Sequence, residues 1–128
     1  MIPNPAEILR RIVEGSLLAA DVVRGLDHDA ILDARDGDAA FELEWTRCYK
    51  AIEAQWPAAD IDAETARAVE DVRREAFLAV SRATVQHEIA SYVSDDFDLI
   101  GRGAILGLDD AFLNGLWEAY DRQEIPGP

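Results

Sequence analysis

The sequence predicts an all-α fold, a single-domain bundle of about five helices with a long central third helix. Three observations carry this. Apolar residues recur at spacings of three and four along most of the chain, the period of a helix with one buried face. Several of these runs open on Asn or Asp and close on Gly or Pro, residues that cap and stop helices. Strand-type alternation with turn chemistry is missing throughout. At 128 residues, 49% apolar, with 5 prolines and 8 glycines, the chain suffices for one core and is short for two, so residues 1–128 read as one domain.

Asn4-Pro5-Ala6-Glu7 opens the first helix, with Asn as cap, Pro at the first position and Glu reaching back. Ile8, Leu9, Ile12, Val13, Leu17, Val22, Val23 and Leu26 extend it, with room for a bend at Gly15-Ser16 and a stop at Gly25. Within Asp27–Asp38 only a short helical turn around Ala30 to Ala34 is expected. Asp38 then caps a second helix that carries Phe41, Trp45, Cys48, Ile52 and Trp56 on one face and closes at Pro57. Asp60 or Asp62 caps the third, from about Ala63 to Val93. One stripe of this helix runs Ala66, Val69, Ala76, Val80, Ala83 and His87; a second runs Leu78, Val85, Ile89 and Tyr92. Two apolar faces suit a central helix or a dimer contact, and the pattern allows a bend near Ala83-Thr84. Glu70 and Arg74, four apart, are expected to pair. Ser94-Asp95-Asp96 is read as the start of a fourth helix ending at Gly107. Asp109-Asp110 starts a fifth, with Phe112, Leu113, Leu116, Trp117 and Tyr120 as its stripe.

Charge is distributed unevenly. The net charge of −14 lies in two blocks: residues 27–64 with eleven acids and three bases, and residues 95–128 with eight acids and two bases. The segments 1–26 and 65–94 are each balanced. Such blocks repel nucleic acid phosphates and anionic membranes, attract basic proteins and speed their encounter. Uncharged runs such as Gly15 to Ala20 are far too short to span a bilayer. Met1-Ile2-Pro3-Asn4-Pro5 lacks the basic and apolar regions of a secretory signal. The single Cys48, read as a buried structural thiol, excludes an internal disulfide; together these features predict a cytoplasmic protein.

No catalytic or metal motif survives inspection. Placing Gly37 sixth in a calcium loop puts Leu32 first and Leu43 twelfth, where oxygen ligands are required. His28 has no second histidine nearby. His87-Glu88 would need a histidine where Ser91 stands, and Thr84 stands where a diiron pair needs Glu. Gly101-Arg102-Gly103 would need a glycine where Leu106 stands. Asp95-Asp96-Phe97-Asp98 is only superficially like a magnesium-diphosphate motif and reads more simply as acids at a helix start. No cofactor and no metal are expected.

These features predict a small acidic binding module that inhibits or neutralises a basic partner, a toxin or a nucleic-acid-binding enzyme. Bacterial immunity proteins and antitoxins work by this physics, covering a cationic site with carboxylates. No family signature enters this reading, which rests on size and charge alone. Asp27, Asp29, Asp33, Asp36 and Asp38 are the expected contact patch, Asp95, Asp96 and Asp98 a second, and Tyr49 an exposed aromatic anchor. The alternatives are a structural or homodimeric helical module, an all-α metal-dependent enzyme using paired carboxylates, and a nucleic acid mimic.

Overall fold

The structure, a computed structural model, describes residues 2–127. Among these residues there are seven α-helices and no strand: α1 (Pro5–Glu14), α2 (Ala20–Arg24), α3 (His28–Gly37), α4 (Ala39–Gln55), α5 (Ala63–Thr84), α6 (His87–Leu106) and α7 (Ala111–Asp121), with a 3-10 turn at Pro57–Ala59. The all-helical class is as expected; the helix count is seven rather than about five.

Two expected helices are each divided in two. The first ends at Gly15, whose left-handed backbone (φ 86°) lets its N–H reach the carbonyls of Arg11 and Ile12. The chain then turns through Leu17 and Leu18, both buried, before α2. The long third helix breaks where a bend was allowed. Val85 takes up φ 56°, a left-handed conformation strained for a β-branched residue, and its side chain is 79% exposed. Thr84 secures the break: its hydroxyl donates to the Val80 carbonyl and accepts from the Gln86 N–H. The second apolar stripe is therefore cut, with Ile89 buried and Val85 outside.

The helix after the break runs through Ser94-Asp95-Asp96 to Leu106. Those residues sit in mid-helix, not at a start, because their side chains are engaged by other helices instead of by their own N-terminus. The acidic stretch 27–38 also exceeds expectation, forming a ten-residue helix capped by the Asp27 carboxylate on the Ala30 N–H. The caps read at Asn4 and Asp38 are present, on the N–H groups of Glu7 and Phe41, and of the pairs Asp60 or Asp62 and Asp109-Asp110 it is Asp62 and Asp110 that cap, on Thr65 and Leu113. Arg74 pairs with Asp71 and Glu75 instead of the expected Glu70.

The two long helices α5 and α6 form a hairpin at the centre. Helices α1 and α2 lie on α5, while α4 and α7 lie on α6. Ile8, Leu17, Cys48, Ile52, Val72, Val80, Val93, Phe97, Ile100, Leu113 and Tyr120 fill the space between them, fully buried or nearly so. Cys48 is buried as expected, and burial pushes its thiol up to about 11.

Candidate functional site

The aspartates of the first patch take their places from the geometry of α3. Spacings of four and three put Asp29, Asp33 and Asp36 on one exposed face of the helix. Asp29 and Asp33 have no hydrogen-bond or ion-pair partner among the described residues. Asp36 accepts a hydrogen bond from the Tyr92 hydroxyl. Asp27 is exposed at the N-cap, and Asp38, half-buried, caps α4. Four of the five are thus outward-facing at one end of the bundle.

Arg35 lies on the inner side of the same helix. Its Nη1 and Nη2 donate to the two carboxylate oxygens of Asp96 on α6, at 2.7 and 2.9 Å. Both residues are buried, Asp96 completely. The Trp45 indole from α4 donates to Asp96 Oδ1 at 2.9 Å, and the Tyr120 hydroxyl from α7 to Oδ2 at 2.6 Å. The rings of Phe41 and Tyr92 stand against the guanidinium, each centroid 4.9 Å from its Cζ. One carboxylate therefore joins four helices, with every strong acceptor direction used. Burial works against the Arg35 charge, but the hydrogen bonds and charge of Asp96 outweigh it and hold its pKa above the ordinary value. Burial and the neighbouring Asp96 charge push the Tyr120 hydroxyl well up.

This burial removes Asp96 from the expected second patch, since a fully enclosed side chain cannot touch a partner. The other members of that patch are also engaged. Asp95, half-exposed, pairs with Arg73 at 2.8 Å, and burial raises its pKa. Asp98 is largely enclosed by Arg102 at 2.9 Å, which also reaches Glu53 at 2.6 Å. Tyr49 is exposed as expected, 38%, stacked on Trp45 with centroids 5.7 Å apart.

The two acidic blocks meet at several places, at Arg102 between Glu53 and Asp98, at Arg47 between Glu44 and Asp110, and at a cleft. Asp36 from the first and Asp95 from the second line a cleft of about 430 Å³ between α3, α4 and α6, together with Glu42, Phe41, Trp45 and Tyr92. Sequence reasoning missed Arg35, Glu42, Trp45 and Tyr92 as members of this region. The one available signal was Arg35 itself, the lone base within 27–38. The opposite side of α3 borders a wider, open groove against α7, lined by Leu26, Ile31, Phe41, Phe112 and Leu116 with Asp27 at its edge.

Among the described residues no three His, Cys, Asp or Glu side chains gather as a metal site. No helix is long and apolar enough to cross a membrane. No curated protein matches the chain. A family model described as immunity protein PIM1 matches residues 7–127, a span that holds α3, its buried anchor and the cleft. Immunity proteins are inhibitors rather than catalysts and act by binding a partner such as a toxin. The chain belongs to the immunity protein PIM1 family.

Proposed function

We propose that the chain neutralises a cationic toxin by laying the acidic face of α3 over the toxin's positively charged site. The observation that carries this is the pair Asp29 and Asp33, exposed, a turn apart and uncompensated. Carboxylates left unpaired on a helix repel one another at some cost to stability. That cost is recovered when a basic surface covers them, and the same field speeds the encounter. The cytoplasm of the toxin-producing bacterium is the corresponding location, where a lone cysteine stays reduced.

Co-expression with the cognate toxin tests the proposal. The native chain restores growth, and the charge reversal D29K with D33K, at positions without structural partners, abolishes protection while the purified variant keeps its helical circular dichroism. Undiminished protection by that folded variant would remove α3 from the interface.

A further inference from the structure

Resting on the reading above, we infer that the cleft between α3, α4 and α6 receives a lysine or arginine side chain of the partner protein. Its walls are the rings of Phe41, Trp45 and Tyr92; its rim carries Asp36, Glu42 and Asp95. The charges facing it divide into matched and unmatched. Arg35, at its base, is neutralised by Asp96 beneath it. Asp95 is matched by Arg73 from α5. Asp36 holds only the neutral Tyr92 hydroxyl, and Glu42 is exposed with no side-chain partner among the described residues. Two carboxylates from two helices therefore remain uncompensated around aromatic walls.

This chemistry selects its occupant. An anion meets the wrong field. An aliphatic side chain would strip water from carboxylates and return no hydrogen bonds. A guanidinium or ammonium satisfies the carboxylates and gains from the ring faces. The same rings already accommodate one guanidinium, since Phe41 and Tyr92 flank Arg35. The cleft is continuous with the acidic face through Asp36, so a basic surface lying on Asp29 and Asp33 brings its next cationic side chain to this opening. The α3 face then guides the partner, and the cleft holds it through a buried anchor at the centre of the contact.

The three tryptophans make the test direct, because Trp45 lies in the cleft and Trp56 and Trp117 lie outside it. The chain labelled with 15N at its indoles is titrated with N-acetylarginine amide, and with N-acetylglutamine amide as the neutral control. The Trp45 indole resonance should move saturably with the arginine compound, at millimolar concentrations, while that of Trp117 stays in place. Glu42→Gln should weaken this titration several-fold, with an unchanged Trp117 resonance reporting an intact fold. A Trp45 resonance that ignores the arginine compound, answers the neutral control equally, or is indifferent to Glu42→Gln would overturn the inference. The α3 variants separate the two readings: D29N with D33N should leave this titration unaltered. Loss of protection by D29K with D33K beside a failed titration leaves the acidic face standing and removes the cleft.

Discussion

Arg35 is surrounded in sequence by five aspartates, yet its partner is a sixth, Asp96, sixty-one residues away. Burying a charge pair of this kind gains little over an apolar pair of the same shape, but removing one member leaves the other stranded without water. Asp96→Leu should therefore cost about 3–5 kcal/mol in urea unfolding, whereas Arg35→Met with Asp96→Leu should recover the part due to the stranded guanidinium, the Trp45 and Tyr120 donors still lacking their acceptor. A double-variant cost equal to the sum of the Asp96→Leu and Arg35→Met costs would mean that the pair is not coupled. The Tyr92 hydroxyl supplies a second residue-scale prediction. Its hydrogen bond to Asp36, aided by burial, pushes it up to about 12, against 10.0 for an ordinary phenol. A raised folded-state pKa gives stability that is complete below the unfolded value and lost as pH climbs through the folded one. Melting temperature should fall between pH 10 and 12, and less steeply in Tyr92→Phe. Equal slopes for the two proteins would count against the hydrogen bond. Tyr120, raised for a different reason, remains in both.

At the scale of helices, what the sequence made legible was local and what it hid was long-range. Caps at Asn4, Asp38, Asp62 and Asp110 depend on three or four neighbouring residues and were readable, the last two each as one of a pair of aspartates. The start assigned to Ser94-Asp95-Asp96 failed because acids at a helix start and acids holding distant arginines look alike in one dimension; Arg35 and Arg73 made the difference. The outward face of α3 was readable as charge, but its anchor was not, because pairing across the bundle leaves no local pattern. Glycines offer a further test at this scale. Gly103 on α6 lets α7 come close, and a Cβ there would overlap Leu113 Cδ2. Gly103→Ala should destabilise by about 1–3 kcal/mol through overpacking, despite the better helix propensity of alanine. Unfolding that is unchanged, or shifted toward greater stability, would show that Leu113 moves aside freely. Gly101, whose Cβ would lie 3.6 Å from Val69, is the built-in control, and alanine there should be tolerated.

Across the whole molecule, charge and packing divide the work. The central pair α5 and α6 with α1, α2, α4 and α7 supplies the apolar core, and α3 is pinned to it by Arg35 along with the half-buried Ile31 and Leu32. Pinning leaves the acidic face fixed before any partner arrives, so little ordering is required on binding. Under the proposed function, a net charge of −14 on so small a domain acts on the approach of a cationic partner more than on the final contacts.

Stopped-flow association of the chain with its toxin, followed against ionic strength, tests this division most directly. At low salt D29N with D33N should slow association by about an order of magnitude and change dissociation little, and the native rate should fall steeply as salt rises. Association that is insensitive to both the substitutions and the salt, with the loss confined to dissociation, would contradict the claim that α3 recognises its partner by charge.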